Sequence, residues 1–311
     1  MATQPRIAVV GSANVDLTTF TDQFPRPGET IFGRSFHLGF GGKGANQVVA
    51  AQLCGARVSI IARVGDDLFG KATVDNFTAR GIDAALVRIT PGVSSGVAPI
   101  FVGSDGQNRI LVVKGANDRL LPADIDAAAP VLRQADVIVL QLEIPLETVY
   151  YTLRFARANG VRAILNPAPG QRLDNAELAN ADYVIPNETE AETLTGLPVT
   201  NLHQARNCAV ELLRGGVRRV IITLGANGAL CAGEDRVDHI PPFPVAAVDT
   251  SGAGDAFIGS FAAFLAAGED EISAIARANV YAALSTLGVG TQSSFVTRDR
   301  LEEAWSRRPQ P

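Results

Sequence analysis

The sequence predicts an α/β fold: a mainly parallel sheet with helices on both faces and a small β-strand lid beside it. Three observations carry that expectation. Short β-branched runs bounded by turns recur at 7–10, 58–61, 137–140, 163–165, 183–185 and 220–223, with helical stretches between several of them. Such alternation builds parallel strands covered on both faces. The 311-residue chain is 47% hydrophobic, enough to bury the core of one large α/β domain with a small appendage. Two regions, about 17–38 and 96–114, break the rhythm and are expected to form the lid.

Taken in order, strand 7–10 ends on Gly11-Ser12-Ala13-Asn14-Val15-Asp16. Asn14 and Asp16 thus follow a strand's carboxyl end, where open α/β sheets bind ligands, and their donors and acceptors suit sugar hydroxyls. Gly39-Phe40-Gly41-Gly42-Lys43-Gly44 leads into helix 45–54 and satisfies a dinucleotide-binding pattern. The segment before it, with Arg34, Ser35 and His37, is not the apolar central strand of a dinucleotide fold, and Gly44 stands where a P-loop has serine or threonine. The glycines instead let the backbone and Lys43 close on a polyhydroxylated ligand, with Asn46 one turn in; a purely structural turn is the plainer alternative.

Strand 58–61 and helix 70–80 follow. Gly92-Val93-Ser94-Ser95-Gly96 matches a nucleophile elbow, but Val97-Ala98-Pro99 cannot start the helix that an elbow needs. Segments 97–102 and 109–114 flank the turn Gly103-Ser104-Asp105-Gly106 as a hairpin. A flap of so few strands needs something to pack against, so a dimer surface is expected there, with an ordinary surface hairpin as the alternative.

Strand 137–140 leads to Glu143, another strand-end polar residue, and to helix 146–159. After strands 163–165 and 183–185, Asn187-Glu188-Thr189-Glu190 opens a helix whose carboxylates can order water around nucleotide-bound Mg²⁺. A solvated helix start reads equally well. Helix 203–214 precedes strand 220–223, and Thr223-Leu224-Gly225-Ala226-Asn227-Gly228 ends that strand with small residues suited to phosphates or ribose, or with no more than a tight turn.

Asp249-Thr250-Ser251-Gly252-Ala253-Gly254-Asp255 then precedes the apolar helix 256–267. The amides of Gly252, Ala253 and Gly254 can approach an anion closely, and the positive end of the helix adds to the attraction. Asp255 at the mouth of such a hole can take a proton from a hydroxyl while the amides hold developing charge, which is phosphoryl transfer to an alcohol. The alternative makes Asp255 a helix cap.

Composition narrows the partners. With 27 basic and 32 acidic residues the net charge is −5, and no basic run points to nucleic acid or an anionic membrane. Cys54, Cys208, Cys231 and the three histidines make no metal-ligand spacing. The start lacks a leader pattern and no window approaches 18 apolar residues, so a cytoplasmic protein is expected. Asn187-Glu188-Thr189 is a glycosylation sequon that a cytoplasmic chain would not use.

Together these segments resemble the ribokinase (PfkB) family of carbohydrate kinases from Val9 to Ser294, most specifically in Gly41-Gly42-Lys43-Gly44-Ala45-Asn46-Gln47 and the stretch ending in Asp255. The resemblance implies an α/β core, a strand lid contributing to a homodimer, and ATP-dependent phosphorylation of the ribose 5-hydroxyl. It makes Asp255 the base, with the amides from Gly252 to Asp255 as anion hole, and gives the sugar hydroxyls to Asn14, Asp16, Gly42, Lys43, Asn46 and Glu143. Asn187, Thr223, Gly225, Gly228, Gly254 and Asn279 line the nucleotide site, and Glu190 acts on Mg²⁺ through water. An activating K⁺ is held by Asp249, Ser251, Ser285, Gly288, Gly290 and Ser294, largely through backbone oxygens. Loop 288–294 departs from the family form, having Ser293 where proline is common. A kinase of the same family acting on 2-deoxyribose or a nucleoside, a non-catalytic sugar-binding regulator, and a dinucleotide oxidoreductase are the competing readings.

Overall fold

A computed structural model describes residues 4–105 and 107–308. Its thirteen strands are β1 (Arg6–Val10), β2 (Asn14–Phe20), β3 (Ser35–Gly41), β4 (Arg57–Gly65), β5 (Val87–Thr90), β6 (Gly96–Val102), β7 (Asn108–Ile110), β8 (Val137–Leu140), β9 (Arg162–Leu165), β10 (Tyr183–Val184), β11 (Val220–Thr223), β12 (Ala229–Ala232) and β13 (Val237–Ile240). The helices are α1 (Lys43–Leu53), α2 (Leu68–Ala79), α3 (Pro122–Leu132), α4 (Leu146–Ala158), α5 (Asn175–Leu178), α6 (Glu188–Thr195), α7 (Leu202–Arg214), α8 (Ala253–Ala266), α9 (Glu271–Ser285) and α10 (Arg298–Ser306).

Nine strands form the main sheet in the order β13-β12-β11-β10-β9-β8-β1-β4-β5. Every pairing from β11 to β5 is parallel, and β12 and β13 add an antiparallel edge. The cause is visible in β1 and β8, whose residues are apolar on both faces. Ile7, Val9, Val137 and Val139 pack with Val48 of α1, Phe261 of α8 and Tyr281 of α9, while Ala8, Val10, Ile138 and Leu140 pack with Ile125 of α3, Val149 of α4 and Cys208 of α7. Alternate residues of a strand feed opposite layers, so a continuously apolar strand must be covered twice.

The second sheet has the order β3-β2-β6-β7 and draws on the two segments that break the α/β rhythm. Its strands reach beyond them, β2 starting at Asn14 and β3 ending at Gly41, because seven pairs hold β2 to each neighbour. The expected strand 109–114 forms only in part: β7 ends at Ile110, and Val97 and Val113 make an isolated bridge. Gly106 of the expected turn lies outside the described residues. Among the described residues no helix is long and apolar enough to cross a membrane.

Candidate active site

The carboxyl ends of five adjacent strands carry polar groups in a row. Ser12 and Asn14 follow β1, Gln141 and Glu143 follow β8, Asn166 follows β9, Asn187 follows β10, and Thr223 closes β11. Onto this edge come the starts of two helices. Gly42, at φ 87°, is the N-cap of α1, and Gly252, at φ 77°, is the N-cap of α8. Both occupy the left-handed region, where glycine alone is unstrained.

At the α1 start, Glu143 replaces a side-chain cap: its Oε2 accepts from the Lys43 amide at 2.9 Å and from the Ser12 hydroxyl. A β-carbon on Gly44 would fall 2.7 Å from the Ser12 backbone, so only glycine lets the helix seat this closely. Asn14 is 4% exposed, and its Oδ1 accepts from Asn117 Nδ2 at 2.8 Å, which turns its own amide donors away from Asn117. Asn117, on the 3-10 turn Gly115–Arg119, also accepts from the Ala13 amide. Asp16 lies two residues on, on the same face of β2, with its carboxylate against the bare Gly41.

At the α8 start the helix begins at Ala253, three residues earlier than expected, and Asp255 lies inside its first turn. Its carboxylate caps nothing. Asp255 Oδ2 accepts from Asn46 Nδ2 at 2.9 Å and Oδ1 from Gln47 Nε2 at 2.8 Å, both on α1. Close packing of the helices at Gly259, where a β-carbon would lie 2.3 Å from the Gln47 carbonyl, makes this reach possible. Gln292 Nε2 donates to Asn46 Oδ1, and Gln141 Nε2 donates to Gln47 Oε1 at 2.6 Å. The Ala253 amide is taken by the Thr250 carbonyl at 3.2 Å, which leaves Gly254 and Asp255 as the first-turn amides able to face an anion.

The electrostatics are lopsided. Burial, with repulsion from Glu143 and Asp255, pushes the Asp16 carboxyl up to about 7. Burial likewise raises Asp255, against the pull of Lys43, Asn46 and Gln47, and raises Glu190. Burial works to discharge Lys43, but Asp255, Glu143 and Glu190 outweigh it and hold the ammonium charged. One cation thus faces three carboxylates, Asp255, Glu143 and Glu190. Lys43, Asn166, Asn187, Glu190, Gly252, Gly254 and Asp255 line one chamber of about 170 Å³.

That chamber adjoins a cleft of about 550 Å³ whose walls include Asn187, Thr223, Gly225, Gly228, Gly254 and Asn279, the six residues expected at the nucleotide. Val245, Phe243, Phe257 and Ala283 supply its apolar side. Two of the six are also committed structurally: Asn279 Nδ2 donates to the Ile240 and Pro241 carbonyls, and Asn187 caps α6. Glu190, 9% exposed, is not on a solvated helix start; it completes a capping box, accepting from the Asn187 backbone and side-chain amides. Its remaining lone pairs, beside Asp255, are hard oxygen donors of the kind that suit water-held Mg²⁺.

The residues expected at K⁺ meet in two groups, Asp249 with Ser251 and Gly290, and Gly288 with Ser294. Asp249 accepts from the Ser251 and Gly290 amides, both at 2.9 Å, and a β-carbon on Gly288 would lie 3.2 Å from that of Ser294. Ser285 is fully buried with its hydroxyl donated to Ala282, so its backbone oxygen is what it has to offer a cation. The elbow-like match around Ser94 runs straight into β6 at Gly96 and not into a helix, and the neighbouring Ser95 is spent on Asp67 and the Gly65 amide. Sequence reasoning assigned no role to Asn117, Gln141, Asn166 or Gln292. Gln47, inside the glycine motif, was the one partner within sight.

A buried carboxylate at a helix start, between a small polar chamber and a larger cleft, is an arrangement suited to phosphoryl transfer to a small molecule. Residues 4–298 match the family model described as pfkB family carbohydrate kinase. The chain belongs to that family and is an ATP-dependent sugar kinase. It is 47% identical over 298 residues to a deoxyribokinase of Salmonella typhi, covering 96% of this chain and 97% of that one. It is 41% identical to a ribokinase of Mus musculus, over 93% of this chain and 91% of that one. Ribokinase of Arabidopsis thaliana, solved with ribose and ATP, superposes with a TM-score of 0.90 at 29% identity, covering 97% of this chain and 99% of that one.

Proposed function

We propose that the chain transfers the γ-phosphoryl group of ATP to the 5-hydroxyl of D-ribose. The observation that carries this reading is the pair Asn14 and Asp16, a free amide end and a carboxylate on one strand face, which a ligand rich in hydroxyls would satisfy and a poorer one would leave unpaired. Gly42, Lys43, Asn46 and Glu143 complete the sugar-binding set. The 5-hydroxyl oxygen attacks the γ-phosphorus, the bond to the β-phosphate bridging oxygen breaks, ADP leaves, and the hydroxyl proton passes to Asp255. The amides of Gly252, Gly254 and Asp255 hold the transferring group, the Ala253 amide joining them if Thr250 releases it, and Asn187, Thr223, Gly225, Gly228 and Asn279 hold the nucleotide. Phosphoryl transfer asks chiefly for this positioning and charge stabilisation.

Glu190 is assigned to Mg²⁺ through water; the metal neutralises phosphate charge when bound. Asp249, Ser251, Ser285, Gly288, Gly290 and Ser294 are assigned to K⁺. The second sheet is assigned as lid and homodimer surface, since Phe36, Leu38 and Phe101 are 61%, 40% and 41% exposed on the face opposite Asp16. A cytoplasmic setting fits three buried free thiols. The second reading, 2-deoxyribose as acceptor, is favoured by the 47% identity to a deoxyribokinase. ADP release from MgATP in potassium buffer, with D-ribose and 2-deoxy-D-ribose in parallel, separates the two. Preference for ribose supports the reading, and preference for deoxyribose replaces the substrate while keeping the mechanism.

A further inference from the structure

The carboxylate of Asp255 sits at the end of an interlocked set of side-chain amides. Gln47 is fully buried. Its Nε2 has two hydrogens and two acceptors, Asp255 Oδ1 at 2.8 Å and Asn166 Oδ1 at 3.2 Å. Asn166 is itself fixed, because its Nδ2 donates to the Ile185 carbonyl at 2.9 Å. On the other side Gln47 Oε1 accepts from Gln141 Nε2. An amide turned over by half a rotation would set oxygen against oxygen at Asp255 and at Asn166, and nitrogen against nitrogen at Gln141. Only one arrangement satisfies Gln47.

Gln141 bears the cost of that arrangement. It is fully buried, and its Oε1 has no partner among the described residues, facing the bare Gly11 where a β-carbon would collide with it. Buried acceptors are rarely left so. Turning the Gln141 amide over would bring its Oε1 against Gln47 Oε1, which is worse. Neither residue lines the chamber beside Asp255 or the cleft that adjoins it, so neither is explained by a ligand held there.

We propose that Gln141 and Gln47 are positioning residues for phosphoryl transfer: Gln141 fixes the amide of Gln47, which aims a permanent donor at Asp255 and keeps it an ionised proton acceptor. The inference rests on the reading of Asp255 as the base. The charged and titratable groups bearing on Asp255 are Lys43 from α1, Glu143 from the segment after β8, Glu190 from α6 and Asp16 from β2; only Lys43 favours the charged form, so an oriented neutral donor matters.

The test is Gln141→Met, which removes the orphaned oxygen along with the donor and leaves the Gln47 amide oriented only by its two acceptors, Asp255 and Asn166. Its melting temperature should match or exceed that of the parent, while kcat at pH 7 falls roughly fivefold or more. The acid limb of the kcat profile should move up by about half a pH unit or more, with KM for MgATP unchanged. A double variant, Gln47→Met with Gln141→Met, should show the same limb shift; should it fail to fold, the single variant decides. Asp255→Asn is measured alongside. An unmoved limb and normal kcat in Gln141→Met, with Asp255→Asn inactive, overturns the positioning role alone. Turnover surviving in Asp255→Asn overturns the base reading and this inference together.

Discussion

Asp16 shows what a buried carboxylate does to the protein that carries it. Its carboxyl is raised from the ordinary 3.8 to about 7, so the native state holds the proton more tightly than the unfolded chain does. The stability associated with that proton is fully present below pH 4 and is lost as pH rises through 7. Asp16→Asn, which cannot ionise, should therefore be more stable than the parent at pH 8 by on the order of 2 kcal/mol or more, a gain that shrinks toward pH 4. Urea midpoints at pH 8 and pH 5 check it, and equal differences at both would dismiss the ionisation of Asp16 as the cause. The same variant should raise KM for the sugar, a trade of function against stability of the kind expected at binding sites. Asp255→Asn should bind sugar normally and lose about 10² to 10⁴ in kcat, read by single-turnover ADP release.

Among the elements, the contact of α1 with α8 decides whether the site exists. Asn46 and Gln47 reach one carboxylate only because Gly259 lets α8 lie against the α1 backbone. Gly259→Ala gains up to about 1 kcal/mol in helix propensity. It meets the Gln47 carbonyl and Ala50 side chain, and overpacking costs about 1 to 3 kcal/mol, so net destabilisation with a larger loss of kcat than of sugar affinity is expected. Denaturation and steady-state kinetics of this one variant test both halves. How far such elements can be read from sequence depends on what specifies them. The β-branched runs of β1, β4, β8 and β11 announce buried parallel strands, and the two glycine turns announce helix starts. The antiparallel edge is silent because Ala229–Ala232 has little β-propensity, and α3 because Ala-rich sequence with an internal Pro130 gives no clear period. The amides of Asn117, Gln141 and Gln292 belong to no motif; their meaning comes from partners 103, 94 and 246 residues away in sequence.

At the scale of the whole molecule, the second sheet carries Asn14 and Asp16 on one face and leaves Phe36, Leu38 and Phe101 exposed on the other. Phe36→Lys should weaken self-association by about tenfold or more, as truncating a central apolar anchor does, and raise sugar KM while leaving the nucleotide cleft unaltered. Sedimentation at graded concentration reads the first effect. An unchanged association constant would remove this face from any self-association. Asp255 is 209 and 208 residues distant from the two side chains that hold it. During synthesis, α1 and the strand that carries Asn14 and Asp16 emerge well before the carboxylate that Asn46 and Gln47 hold. That joining waits until α8 has left the ribosome, so a chain halted before α8 carries Asn46 and Gln47 without the carboxylate they hold.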